Sequence, residues 1–139
     1  MTARHILIAL DGPVGAGKSS LADAVARRLS ILHLDSGAMY RAVALAALKN
    51  GIDLADEHGV VALCESGGAD VSVRFENNRQ VTLLDGVSVE DDIRAQHVGS
   101  AASTVSRYKQ VRRFLVRRQQ ELAAAQSMII DGRDIGTVV

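Results

Sequence analysis

The sequence predicts an α/β fold: three layers, α/β/α, around a parallel sheet, with a small inserted α+β module. Three observations lead there. Short apolar runs at Ile6–Leu10, Ile31–Leu34 and Met128–Ile130 have the length and content of buried parallel strands. Helical apolar spacing follows the first two, which is the βα rhythm of a crossover fold. From Val71 to Val89 the pattern changes to alternating residues broken by turn pairs, the mark of hairpins.

The elements follow in order. Ile6–Leu10 is bounded by Asp11-Gly12-Pro13 and predicts a strand. Lys18–Leu29 carries Leu21, Val25 and Leu29 at helical spacing, with alanines filling the gaps. Ile31–Leu34 predicts a second strand, ending at Asp35-Ser36-Gly37. Ala38–Lys49 is alanine-rich and helical, and Asn50-Gly51 supplies a C-terminal stop. A weaker helix covers Glu57–Glu65, before Gly67-Gly68. Val71–Phe75 alternates, Asn77-Asn78 is a turn, and Val81–Leu84 leads through Asp85-Gly86 into Val87–Val89. Asp91-Asp92 suits the cap of a helix beginning near Ile93, with acidic charge at its positive end. A long helix is expected over Thr104–Ala125, and Met128–Ile130 is the last strand. The expected division is a core of residues 1–66 and 103–139 with an inserted module at 67–102.

At 139 residues the chain fits one domain with a real core. Its 16 basic and 16 acidic residues balance, which speaks against a basic nucleic-acid binder and against an acidic tail. Two tyrosines, two phenylalanines and no tryptophan give no stacking surface for single strands. The single cysteine, Cys64, closes no intramolecular disulfide and points to a reducing compartment. No apolar run reaches the length of a membrane span, and the N-terminus lacks a secretion-signal cleavage pattern. A cytoplasmic monomer without membrane or nucleic-acid partners is the expectation. His5, His33, His58 and His97 are scattered without ligand spacing, so a histidine metal site is not expected. Cys64, Met39 and Tyr40 are expected to pack rather than to touch a ligand.

The chemistry starts at GPVGAGKS, Gly12 to Ser19, a full match to the phosphate-loop pattern between a strand and a helix. Glycines let successive N–H groups turn inward on phosphate oxygens, and the helix N-terminus adds partial positive charge. Lys18 would bear on the β- and γ-phosphates, and Ser19 would ligate Mg²⁺. Gly12, Pro13, Val14, Gly15, Ala16, Gly17, Lys18, Ser19 and Ser20 form the expected cradle for a nucleoside triphosphate.

In an open parallel sheet, ligands gather beyond the C-terminal strand ends. Leu34-Asp35-Ser36-Gly37 and Asp131-Gly132-Arg133-Asp134 fall at such ends. Arg41 lies four residues past Gly37, on the first turn of its expected helix. Arg41 and Arg133 are expected to converge on a second phosphate, which a phosphate acceptor needs and a water-using hydrolase does not. The plainer alternatives are a solvated Arg41 and a turn salt bridge between Arg133 and Asp134. Asp35 is a turn or cap residue or a ligand contact. Asp131 either holds Mg²⁺ through water or braces its turn.

DGPVGAGKSS, LDSGAMYRA, Ile93-Arg94, SAAS followed by VRRFLVRRQ, and DGRDIGTVV together resemble the bacterial cytidylate (CMP/dCMP) kinase family, in order and at similar spacing, over essentially the whole chain. The resemblance implies a P-loop nucleoside monophosphate kinase that transfers a phosphoryl group from Mg·ATP to CMP or dCMP. It also implies that the inserted module serves the monophosphate side. By motif, Ser36, Ser103, Arg112 and Asp134 would contact the nucleoside, while Arg41 and Arg133 would hold its phosphate. The chemistry of cytosine agrees: Asp134 would accept from N4, and Arg112 and Ser103 would donate to N3 and O2. Uracil would turn a carbonyl toward Asp134, a discrimination of about 1–3 kcal/mol.

On the long helix, about 100° per residue puts Tyr108, Val111, Leu115 and Leu122 on one apolar stripe. Lys109, Arg113 and Arg117 fall on the far side, and Arg112 and Arg118 flank the stripe. Geometry leaves those two, and the resemblance picks Arg112; a basic surface face is the alternative for this helix. Relatives usually carry a proline before this segment, where Ser106-Arg107-Tyr108-Lys109 has none. They also continue past DGRDIGTVV with a strand, an arginine-bearing lid and a final helix. A C-terminally truncated chain is therefore expected, with no lid arginine to assign. The rival readings are a nucleotide-binding fragment with impaired turnover and a P-loop kinase for another small acceptor.

Overall fold

A computed structural model of the protein describes residues 6–11 and 18–132, the side chains of Asp11, Lys18 and Ser19 excepted. The chain runs β1 (Leu7–Asp11), α1 (Lys18–Leu29), β2 (Leu32–Asp35), α2 (Ser36–Lys49), α3 (Glu57–Glu65), β3 (Val71–Glu76), β4 (Arg79–Leu84), β5 (Val87–Ser88), α4 (Gln96–Val105), α5 (Lys109–Ala125) and β6 (Met128–Gly132). It is a mixed α/β protein with a parallel sheet, the class the sequence predicts.

The apolar runs make a parallel sheet of order β1-β6-β2. Every residue of β6 is buried, because it has a strand on each side. β1 was expected to be buried and is not: Ile6 and Leu7 are 51% and 44% exposed, since β1 lies at the edge of this sheet. α1 packs through Ala22 and Ala26 onto Ile129, with Val25 half-buried beside them. Leu21 and Leu29, expected on that inner face, are exposed. Small alanines let the helix approach the strands closely, and the leucines fall to either side.

α2 begins two residues before its expected start, so Arg41 stands on its second turn. The Asn50-Gly51 stop is present, with Gly51 at φ 67° and the Ile52 N–H returning to the Ala47 carbonyl at 2.9 Å. α3 matches its expected span, and the Asp56 carboxylate caps it by accepting from the Gly59 N–H at 3.1 Å.

The expected hairpins form the second sheet, β3-β4-β5. Asn77 and Asn78 take φ of 51° and 63°, and Asp85 and Gly86 take 54° and 82°, as two-residue hairpin loops require. Two helix expectations need correction. The helix from Ile93 is a single 3₁₀ turn, Asp92–Arg94, and Asp91 makes no side-chain cap. Extended Ala95 (ψ 139°) then resets the chain, so that α4 buries Val98, Ala101, Ala102 and Val105 after Ile93 is already inside. The long helix over Thr104–Ala125 is broken between Val105 and Lys109. Val105 and Val111 are both fully buried, and the Tyr108 hydroxyl is fixed on the Leu54 carbonyl at 2.5 Å, which a continuous rod would not serve.

Two compact units result: residues 1–36, 76–80 and 116–139, and residues 37–75 and 81–115. Among the described residues no helix is long and apolar enough to cross a membrane.

Candidate active site

In the first unit, the carboxyl ends of the three parallel strands lie side by side. Asp11 pairs with Gly132, and Asp35 pairs with Asp131. The three expected ligand segments follow directly in sequence: Gly12 after Asp11, Ser36 after Asp35, and Arg133 after Gly132. Gly12, Pro13, Val14, Gly15, Ala16, Gly17, Arg133 and Asp134 lie outside the described residues, as do the side chains of Lys18 and Ser19. Ser20 is exposed on the first turn of α1.

Asp131 is the best-braced group at these ends and is only 2% exposed. Its main-chain carbonyl accepts from the Ser36 hydroxyl at 2.8 Å. Its carboxylate Oδ2 stands 2.5 Å from His33 Nε2, and His33 Nδ1 stands 2.5 Å from Asp23 Oδ1 on α1. Burial of the ring opposes its charge. Hydrogen bonds and attraction from Asp131 and Asp23 outweigh that, raising the His33 pKa to about 9 from 6.5. At neutral pH the ring is therefore an imidazolium that donates from both nitrogens. A buried carboxylate without such a partner would be costly.

Sequence reasoning passed over His33 as one of four scattered histidines. The signal was the strand period: His33 and Asp35 alternate with Leu32 and Leu34, while Asp131 alternates with Ile130 on a paired strand. Gln80 was missed as well. Its amide accepts from the Asp35 N–H at 2.7 Å and donates to the Asp35 carbonyl at 3.2 Å, bracing the turn into Ser36.

In the second unit, Arg41 is half-buried, and a Cβ added to Gly99 of α4 would stand 4.0 Å from its Nε. Ser103 is exposed on the same helix, its hydroxyl donating to the Gly99 carbonyl at 3.4 Å. Tyr40, next to Arg41, shares a hydrogen bond with Arg112; burial raises the Tyr40 pKa, and the guanidinium opposes that rise. Arg41, Ser103 and Arg112 thus belong to one unit, while Arg118 belongs to the other.

The helix-face reading of α5 holds except at its ends, where Tyr108 precedes the helix and Leu122 is only half-buried. Val111 and Leu115 are fully buried, Lys109, Arg113 and Arg117 are exposed, and Arg112 and Arg118 lie between. One residue of that face was missed: Gln119 is fully buried, and neither atom of its amide has a hydrogen-bond partner among the described residues. Cys64 is buried as expected, and burial, helped by Glu65, pushes its thiol up to about 11. A shallow cleft of about 300 Å³ in the second unit, lined by Lys49, Asn50, Leu84, Asp85 and Val87 among others, contains none of the expected site residues.

Among known proteins, the family model described as Cytidylate kinase matches residues 8–139. A curated relative of that name from Caldicellulosiruptor bescii is 46% identical over 136 residues, covering 98% of this chain and 59% of that protein. One from Desulforamulus reducens is 45% identical, covering 97% and 60%. One from Aliivibrio salmonicida is 42% identical, covering 100% and 61%. The chain spans about 60% of the length of the curated relatives it matches. The match runs from Ile8, the second residue of β1, through β6, and the chain belongs to the cytidylate kinase family.

Proposed function

We propose that the protein to which this chain belongs transfers a phosphoryl group from Mg·ATP to CMP or dCMP, giving ADP and the nucleoside diphosphate. The observation that carries this reading is the register of the parallel sheet. Asp11↔Gly132 and Asp35↔Asp131 set side by side the strand ends that GPVGAGK, SGAMYR and RDIG follow in sequence, and ligands of open α/β sheets collect beyond such ends. Family membership supplies the nucleotide class.

The division of labour follows from charge and hydrogen-bonding capacity. Gly12–Ser20 wraps the ATP phosphates, and Lys18 offsets their charge. Arg41 and Arg133 hold the acceptor phosphate, each able to grip two oxygens. Ser103, Arg112 and Asp134 read the cytosine edge. Ser36, whose hydroxyl proton is committed to Asp131, faces a ligand as an acceptor. Residues 67–102 form the monophosphate-side module. Phosphoryl transfer asks mainly for positioning and charge neutralisation, so these residues act by holding two anions in line.

The Ser19 hydroxyl would hold Mg²⁺ together with the nucleotide phosphates, and the ion would neutralise charge on the transferring group. The engagement of the Asp131 carboxylate by His33 supports the bracing role for Asp131 rather than a metal role. The protein is read as a cytoplasmic monomer without nucleic-acid or membrane partners.

Calorimetric titration with CMP, dCMP, UMP and AMP, joined to an ADP-coupled assay, tests the reading. Preference for AMP over CMP would overturn it. Arg41→Ala and Arg133→Ala should impair CMP and dCMP alike, whereas Asp134→Ala should mainly erode selectivity for cytosine over uracil. Because the chain covers about 60% of its relatives, binding of CMP and ATP without turnover is a second reading, and the same pair of measurements separates the two.

A further inference from the structure

His33 joins parts of the first unit that are far apart in sequence. Its ring links Asp23, on the helix that opens at Lys18, to Asp131, two residues before Arg133. The Asp131 side chain is 4% exposed and that of Asp23 is 54% exposed, so the chain of charges runs from the surface to the inner strand end. Stability alone does not account for this arrangement. β6 is already held by two parallel ladders, and an apolar residue beside Ile129 would serve the core without removing charges from water. Beside the ladders, the Asp131 carboxylate is held by His33 and its carbonyl by Ser36, two residues before Arg133 in sequence.

We infer that His33 is a positioning residue for acceptor binding: by gripping the Asp131 carboxylate through Nε2 it fixes the end of β6, which Arg133 and Asp134 follow in sequence, while the Asp23 arm only orients the ring. The inference rests on the roles proposed above for Arg133 and Asp134. Acceptor grip depends on placement to a fraction of an ångström, which an orienting partner behind the contact residue supplies.

Three variants separate the two arms of the ring. His33→Gln carries an amide N–H near the Nε2 position and keeps the Asp131 arm; His33→Asn carries one near Nδ1 and keeps only the Asp23 arm. His33→Leu removes both. Each is compared with the parent chain at a temperature where all are folded by circular dichroism. The readouts are the Kd for CMP against that for ATP, and amide hydrogen exchange of the segment from Met128 through Asp134. His33→Leu and His33→Asn should weaken CMP by about tenfold, leave ATP within about twofold, and speed exchange in that segment by about tenfold, while His33→Gln stays within about threefold of the parent.

Parent-like CMP affinity and exchange in His33→Leu would overturn the inference. So would a His33→Gln variant as impaired as His33→Asn, or an equal loss of ATP and CMP, which marks general loosening. If His33→Leu does not fold, the Gln and Asn variants decide between themselves. If the parent chain does not bind CMP, the functional reading falls, and the exchange measurement alone decides whether His33 fixes the strand end.

Discussion

The Ser36 hydroxyl donates a 2.8 Å hydrogen bond to the main-chain carbonyl of Asp131, joining the first residue of α2 to the end of the central strand. Ser36 is 2% exposed, so water does not replace the bond when it is lost. Ser36→Ala should lower the unfolding free energy by about 1–2 kcal/mol, the cost of a buried hydrogen bond left half-made. Urea unfolding measures it. A loss of only a few tenths would mean that the carbonyl is satisfied by other partners.

Stability should fall as pH rises above neutrality. The folded-state pKa of His33 is about 9 against 6.5 for the free group, so the folded chain holds the proton more tightly between those values. The stabilisation is complete below 6.5 and is lost as pH rises through about 9. Its ceiling is roughly 3 kcal/mol, less what solvent takes from the exposed Asp23 arm. Cys64 and Tyr40, also raised, add the same sign at higher pH, so the scan is best read below about pH 9. Urea midpoints from about pH 6 to about pH 9 should decline in the parent and flatten in His33→Gln. A flat parent profile would mean that the ring is neutral in the fold.

Much of this was legible in the sequence because it is local. Strand and helix periods located the strands and the first three helices, and α1 and α3 appear with their expected bounds. The asparagine and Asp-Gly turns declared themselves through residues that tolerate positive φ. What was not legible is what depends on the third dimension. Leu21 and Leu29 have helical spacing, yet Ala22 and Ala26 face the sheet, because close approach favours small residues over large ones. The break at Ser106–Tyr108 follows from burying Val105 and Val111 together, which no single-helix wheel shows. Of the site, the motif residues were legible, but His33, Gln80 and Tyr40 act through partners 98, 45 and about 70 positions away in the chain, and no window spans them.

Tyr40 tests the assignment of Arg112. The phenol holds the guanidinium by a hydrogen bond while its ring stays mostly inside, so Tyr40→Phe keeps the packing and releases Arg112. CMP affinity should fall by about three- to tenfold with stability changed by less than about 1 kcal/mol. Arg112→Ala should cost more, and the double variant little beyond it, giving a coupling energy of about 1 kcal/mol. Additive losses in that double-mutant cycle would show that Tyr40 does not act through Arg112.

Gln119 offers the opposite prediction, a gain. It lies one turn beyond Leu115 on the buried face of α5, fully inaccessible, and both amide atoms lack a hydrogen-bond partner among the described residues. An unsatisfied buried amide costs about 1–3 kcal/mol, and methionine has nearly the same length and flexibility without the polar atoms. Gln119→Met should therefore raise the unfolding free energy by about 1 kcal/mol, part of the relief being taken up by imperfect repacking. Gln119→Ala should lower it, because the space left behind outweighs the polar penalty removed. The pair is measured by urea unfolding of the two variants against the parent. If methionine destabilises as much as alanine, the amide makes an interaction that the side chain's buried position conceals, and Gln119 is held for its polarity rather than for its volume.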